Sequence, residues 1–181
     1  MLKKFLLVIV LMLFSTNNFC NAEMPRKEMY LGGLTVGSST VQMLRMYGNP
    51  SKTEGGIEHL YTCHYGDTVT IGYNSYANKL FEIVVTENNG WHTPKGLSVG
   101  MTLDKMLELY GESDFVQSGA DKSVYAYFHS NGKENDYGLI ILVDDATSKI
   151  LRMELFGGNT MAMFEDIFPN RVERLLYENL E

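Results

Sequence analysis

The sequence predicts an α+β protein made of two tandem repeats, each a capped helix followed by a three-stranded antiparallel meander, with a C-terminal helical tail. Three observations indicate this: an internal repeat at an offset of 63 residues, helical spacing of apolar residues in each copy, and alternating apolar and polar residues after it. The predicted boundaries are 1–22 for a signal peptide, 23–93 and 94–157 for the two repeats, and 158–181 for the tail.

The internal repeat is the strongest pattern in the chain. Segment 33–50 aligns with segment 96–113 without a gap, and eight of the eighteen positions are identical. Identity at a constant offset indicates that both segments adopt the same local structure.

Each aligned segment predicts a short helix. Ser39 and Thr102 stand at N-cap positions, and Gln42 completes a Ser-x-x-Gln capping box. Gly48 and Gly111 follow as the glycines that end a helix. The apolar residues recur at a spacing that places them on one helical face, which predicts that they pack on the sheet: Met43, Leu44 and Tyr47, then Met106, Leu107 and Tyr110.

The pattern after each helix changes to a period of two, which is typical of strands with one buried face. Glycine, asparagine and aspartate clusters separate the strands as turn signals. The longer loop at 131–136 breaks the constant offset. Whether the two sheets continue into one sheet stays open. The predicted strands are 60–65, 68–73 and 80–86 in the first repeat and 124–129, 138–143 and 150–156 in the second.

The alternation also assigns residues to the two faces of the sheet. The face toward the helices is predicted to carry Phe81, Ile83, Val85, Leu151, Met153 and Leu155, together with Leu60, Thr62, His64, Val124, Ala126 and Phe128. The opposite face is then predicted to carry Tyr61, Cys63, Tyr65, Tyr125, Tyr127 and His129. A slip of one residue in register would invert this assignment.

The first 22 residues have the features of a secretory signal peptide. Two lysines precede an apolar run over 5–14, and Cys20-Asn21-Ala22 gives small residues before a predicted cleavage after Ala22. The run is shorter than the about 20 residues that span a bilayer. The alternative is lipidation at Cys20, although Asn17-Asn18-Phe19 is too polar and bulky for it. The protein is therefore predicted to be exported, to the periplasm or the extracellular space, with no membrane span after cleavage.

Composition limits the function classes. Cleavage leaves 159 residues with thirteen basic and 22 acidic side chains, a net charge of −9. This acidity disfavours nucleic acid and anionic membranes as partners. Cys63 is then the single cysteine, so an intramolecular disulfide is excluded, and the thiol is either a buried apolar group or a reactive one.

The stretch Gly100-Met-Thr-Leu-Asp-Lys-Met-Leu-Glu-Leu-Tyr-Gly111, followed by strands, resembles the small outer-membrane assembly lipoproteins of the SmpA/OmlA type. Two such units in tandem are similar to the beta-lactamase-inhibitor-protein architecture. The resemblance implies helices on one side of an antiparallel sheet and exposed surfaces that bind proteins. Two features depart from it: a convincing lipobox is missing, and one clear helix precedes each sheet, with 26–30 a poor candidate for a second.

The sequence lacks the standard catalytic and phosphate-binding motifs, so it predicts a non-enzymatic module that binds a protein partner, without cofactor or metal. Tyrosine combines a large apolar ring with a hydroxyl and is common at binding hot spots. The predicted binding residues are Tyr61, Tyr65, Trp91, Tyr125, Tyr127 and His129. One alternative is an envelope hydrolase using His92 or His129 with carboxylates, and another is a purely structural envelope component. Packing of the tyrosines within the sheet is the other interpretation of their number.

Metal sites and the tail are weaker predictions. His59, Cys63 and His64, joined by His92 or His129, would be the ligands of a metal site, but scattered histidines are usually structural. The tail has two apolar stripes on either side of Pro169, which predicts a helix docked on a sheet or, alternatively, a segment that binds a partner or the membrane surface.

Overall fold

The computed structural model describes residues 23–130, 136–158 and 161–177. The predicted signal peptide over 1–22, most of the loop predicted at 131–136, and the last four residues of the predicted tail lie outside the described residues.

The described chain forms one eight-stranded antiparallel sheet with the strand order β1-β2-β3-β4-β8-β7-β6-β5. The strands are β1 Lys52–Gly55, β2 Leu60–Tyr65, β3 Val69–Asn74, β4 Lys79–Val85, β5 Phe115–Ser118, β6 Lys122–Ser130, β7 Asp136–Asp144 and β8 Lys149–Gly158. The α-helices are α1 Thr40–Tyr47, α2 Leu103–Tyr110 and α3 Met161–Tyr177, and short 3₁₀ turns cover Arg26–Glu28 and Ile57–His59.

The predicted fold class, two repeats of a helix plus a three-stranded meander, is wrong. Each half contains four strands, because β1 pairs with the outer edge of β2 and β5 with the outer edge of β6. The halves join through β4 and β8, which makes a single sheet. Sequence alternation missed β1 because all four of its residues are exposed, so no apolar periodicity marks it.

The predicted N-caps are confirmed. Ser39 Oγ accepts a hydrogen bond from Gln42 N–H at 3.1 Å, and Thr102 Oγ1 accepts one from Lys105 N–H at 3.3 Å. Gly48 and Gly111 end the helices with φ of 74° and 75°, a conformation that residues with a Cβ rarely adopt. Both helices thus begin and end at the positions that the repeat aligned.

A β-bulge at the same place in each half changes which side chains face the helices. In β4, Glu82 pairs with Gly72 and Leu80 pairs with Tyr73, so Phe81 is the extra residue. In β8, Leu151 is the extra residue in the same way. Phe81 and Leu151 therefore lie away from α1 and α2, and their predicted assignment to the helix side is wrong.

The predicted face of the tyrosines is also wrong, and the pairing register shows why. Residues directly opposite each other on antiparallel strands point to the same side. Ile83, correctly placed on the helix side, opposes Ile71, which opposes Cys63. Tyr61, Cys63, Tyr65, Tyr125 and Tyr127 therefore share the helix side, and the other face carries Leu60, Thr62, His64, Val124, Ala126 and Phe128.

Two apolar clusters cover the two sides of the sheet. The larger cluster, on the helix side, contains Met43 of α1, Met106 of α2 and the segment from Met24 to Val36. Leu44, predicted to pack on the sheet, is 41% exposed, while Leu107 packs against this cluster. Cys63 is buried in it, as one of the two interpretations held.

The smaller cluster lies on the opposite side, where α3 covers only the second half. Val172, Leu175 and Leu176 of α3 are buried against the sheet, and Pro169 lies inside one continuous helix. The contacted sheet residues include Val124, Ala126, Ile140, Leu142 and Phe156.

A charged cluster fixes α3 at the centre of the sheet. The guanidinium of Arg171 donates to Glu82 of β4 and, at 3.0 Å, to Glu154 of β8, which also pairs with Arg152. Burial opposes the charge on Arg171, but Glu82 and Glu154 outweigh it and raise the arginine's pKa. Since Glu82 and Glu154 come from different halves, α3 ties the halves together.

Candidate binding surface

The exposed large apolar side chains of the described residues are concentrated in the first half. Of eight such side chains, six belong to it: Val41, Leu44, Met46, Ile57, Leu60 and Tyr76. The other two are Val116 and Tyr177. Such a concentration on one part of a surface is typical of an interaction site.

Two loops at one end of the sheet present the most exposed members of this set. Ile57 lies in the β1–β2 loop and is 83% exposed, while Tyr76 lies in the β3–β4 turn and is 87% exposed. Ser75 N–H donates to the His59 carbonyl at 2.8 Å, and the His59 ring is 6.2 Å from the Tyr76 ring. The two loops are therefore joined, and their apolar side chains lie at the same end.

The backbone of the β1–β2 loop is strained. Gly55 and Gly56 have φ of 105° and 111°, and Glu58 and His59 have φ of 51° and 65°. The left-handed conformation costs a non-glycine residue roughly 1–2 kcal/mol. The other positive-φ non-glycine residues of the described chain, Asn78 and Ser148, occupy matching turns of the two halves, so the strain at 58–59 is specific to the first half.

Helix α1 and a pair of stacked tyrosines extend this surface. Thr40 Oγ1 hydrogen-bonds to Asn78 Oδ1 in the β3–β4 turn, which places the start of α1 beside Tyr76. The rings of Tyr61 and Tyr73 stack with centroids 5.3 Å apart at 17°. We define the apolar end as the side chains of Val41, Leu44, Ile57, Tyr61, Tyr73 and Tyr76.

Two of the predicted binding tyrosines have a structural role. Tyr127 is 3% exposed and its hydroxyl donates to the Gly111 carbonyl at 2.7 Å. Tyr65 is half-buried and donates to the Gly48 carbonyl at 3.1 Å. Each hydroxyl thus satisfies a carbonyl at the end of a helix. Burial raises the pKa of both tyrosines, and charges on Glu112 and Asp114 raise that of Tyr127 further.

The remaining predicted residues are dispersed. Trp91 is buried and stacks on Tyr47 with centroids 4.4 Å apart, where a Cβ on Gly32 would come within 2.4 Å of its ring. Tyr125 packs against the larger cluster, and His129 Nδ1 lies 3.5 Å from Glu23 Oε1. Tyr61 is the predicted residue that belongs to the apolar end.

The sequence analysis missed Val41, Ile57 and Tyr76. Ile57 stands alone between two glycines and a glutamate, and Tyr76 stands in a turn of small polar residues. A large apolar residue within a loop is the signal that would have identified both, because loops ordinarily carry polar residues on the surface.

The structure offers little support for the catalytic alternative. A shallow cleft of about 400 Å³ beside His92 is lined by Lys27, Tyr30, Gly33, His92, Thr93 and Pro94, without a carboxylate in its lining. His92 Nδ1 is 2.7 Å from the Thr93 carbonyl oxygen. The pairs His64–Glu54 and His129–Glu23 each have a half-exposed carboxylate.

Over the described ranges, no three His, Cys, Asp or Glu side chains are grouped so that they could hold a metal ion. Within those same ranges, no helix is long and apolar enough to cross a membrane. Comparisons with protein-family models, with curated proteins and with solved structures gave no match. The resemblance to the SmpA/OmlA-type lipoproteins and to the beta-lactamase-inhibitor-protein architecture therefore stays a prediction.

Proposed function

We propose that this chain is an exported, non-enzymatic protein-binding module of the periplasm or extracellular space, and that the apolar end is its docking surface. The observation that carries the proposal is the pair Ile57 and Tyr76, two nearly fully exposed side chains on adjoining loops.

The energetics favour a docking role for this pair. Fully burying an isoleucine or a similar side chain stabilises by about 1.5–3 kcal/mol, and a protein with an apolar recess would gain this on contact. Tyrosines are common hot-spot residues. Strained backbone persists where surrounding structure holds it, and it is frequent at ligand clamps. The β1–β2 loop holds Ile57 outward at such a cost, although a polar residue there would be better solvated.

The proposal changes the surface that the sequence predicted. Binding through flat tyrosine-bearing faces does not fit the burial of Tyr127 and Trp91. Tyr61 remains, because it stacks on Tyr73 beside the exposed loops. The proposed partner is a protein with a concave apolar site that accepts Ile57 and Tyr76 together.

The test uses the chain from Glu23 onward as bait for proteins of the native cell envelope. We expect the double variant Ile57→Ser, Tyr76→Ser to lose at least about tenfold in captured partner, equivalent to 1.4 kcal/mol of binding. Tyr177→Ser is the matched control, since Tyr177 is 69% exposed on α3 away from these loops. All variants should melt within about 2 °C of the wild type, because exposed side chains add little to stability.

Two outcomes would contradict the proposal. Equal capture by the wild type and the double variant would remove the apolar end as the docking surface. Failure of every form to capture a partner would favour the structural alternative, in which the exposed apolar residues have no binding role.

A further inference from the structure

The two edges of the sheet differ in how they are protected. Edge strand β1 carries the ion pair of Lys52 with Glu54, ends at two positive-φ glycines and follows Pro50. Charges, prolines and kinks of this kind prevent another strand from pairing with an edge. Edge strand β5, Phe-Val-Gln-Ser, has neither a charged residue nor a proline.

The backbone of β5 has hydrogen-bonding groups that point away from the sheet. Gly119 N–H donates to the Lys122 carbonyl at 2.7 Å, in register with the pairing of Gln117 with Val124. Hydrogen-bonded pairs alternate along an antiparallel ladder, so Phe115 and Gln117 bond to β6. The N–H and C=O groups of Val116 and Ser118 therefore point outward from the edge.

The side chains of β5 favour an added strand. Phe115 is fixed on the outer side by Phe168 of α3, with ring centroids 5.0 Å apart. Val116 lies on the helix side, 51% exposed and opposite the half-buried Tyr125. A strand paired to β5 would cover the exposed part of Val116 with one of its own side chains.

Acidic residues lie at both ends of β5. Glu112 and Asp114 precede it, and Asp121 lies in the turn that follows. Asp145 N–H donates to the Asp121 carbonyl at 3.0 Å, which adds a fourth exposed carboxylate. These charges disfavour a second copy of this acidic chain and favour a strand with basic residues.

We propose that β5 is a docking edge for an extended, basic segment of a partner protein, which pairs with it as a ninth strand. Main-chain hydrogen bonds to Val116 and Ser118 supply affinity, and the carboxylates select basic side chains. This surface lies at the opposite edge of the sheet from β1 and its loop, so it is separate from the apolar end.

The test titrates the chain from Glu23 with a capped peptide of alternating lysine and valine, and follows amide shifts by NMR. We expect the largest shifts at Val116 and Ser118 and binding at peptide concentrations up to about 1 mM, which corresponds to about −4 kcal/mol. Val116→Pro and Ser118→Pro should each weaken binding at least about tenfold, because proline removes an outward N–H without breaking a bond to β6.

Thr53→Pro is the matched control. Thr53 lies 63 residues before Val116 and holds the same place in edge strand β1. It should leave peptide binding unchanged. Thermal melting of the three proline variants will show whether each keeps its fold, and a peptide with N-methylated amides on alternate residues, which should not bind, tests the same hydrogen bonds on the unaltered chain.

Several results would overturn the proposal. These are no binding up to the stated concentration, equal binding of the N-methylated peptide, equal binding of a glutamate–valine peptide, or equal loss of binding in Thr53→Pro. Self-association of the chain that Val116→Pro abolishes would identify a second copy as the occupant instead.

Discussion

Replacing Tyr127 with alanine should destabilise the fold, and it should do so far more than replacing Leu44. Tyr127 is almost wholly buried in the larger cluster, its ring lies 5.8 Å from that of Tyr110, and its hydroxyl bonds to Gly111. Leu44 exposes 41% of its surface on α1. The sequence predicts the opposite ranking, because it places Tyr127 on an outer face and Leu44 against the sheet.

The magnitudes follow from burial. Truncating a buried aromatic residue to alanine typically costs about 3–5 kcal/mol. For a chain of this size each kcal/mol lowers Tm by about 2–4 °C, so Tyr127→Ala should lower it by about 12 °C. Leu44→Ala should cost about 1 kcal/mol, since much of its side chain already contacts water. Tyr127→Phe removes only the hydrogen bond and should also cost about 1 kcal/mol.

Calorimetry or circular dichroism melting of these three variants provides the assay. The pH dependence of Tyr127→Phe adds a second measurement. Because the folded-state pKa of Tyr127 is raised, its stabilising effect is complete below the unfolded value of about 10 and is lost as pH rises beyond it. The phenylalanine variant should therefore lose less stability than the wild type above about pH 10. Equal Tm values for Tyr127→Ala and Leu44→Ala would refute the face assignment.

Three further changes test the packing of the sheet and helices. Arg171→Met should cost about 3 kcal/mol in thermal melting, because it leaves buried carboxylates without their partner. Gly72→Ala should cost about 1–3 kcal/mol in urea unfolding, because a Cβ there would lie 2.6 Å from Phe81 Cζ. Ser39→Ala and Thr102→Ala should each cost about 1 kcal/mol as lost N-caps, and the double variant should show the sum by urea unfolding, because the two helices do not share partners.

The sequence was sufficient for the features that depend on neighbouring residues. Helix starts at Thr40 and Leu103 follow from the capping side chains before them, and the ends follow from Gly48 and Gly111. These signals act within about one helical turn, so an aligned pair of segments displays them directly.

Faces and strand number depend on distant contacts, and there the sequence failed. The bulges at Phe81 and Leu151 shift the alternation by one, and only the pairing with β3 and β7 reveals them. Edge strands β1 and β5 are defined by hydrogen bonds to a neighbouring strand rather than by apolar alternation. Ile57 and Tyr76 were missed for a related reason, because loops 17 residues or more apart in sequence meet only through the sheet.

The difference between the halves on the outer side of the sheet bears on the apolar end. The bulges set the correspondence of the halves, so the residues under α3 can be matched with their counterparts on the bare side. Val124, Ala126 and Ile140 correspond to Thr62, His64 and Thr70. Every one of these apolar contacts is replaced by a polar side chain in the first half, which excludes that half as a second site for a helix like α3. The outer side of the first half is thus adapted to water while its loops expose Ile57 and Tyr76. The exposure of these two side chains is therefore not part of a general lack of cover, and docking of a partner explains it better.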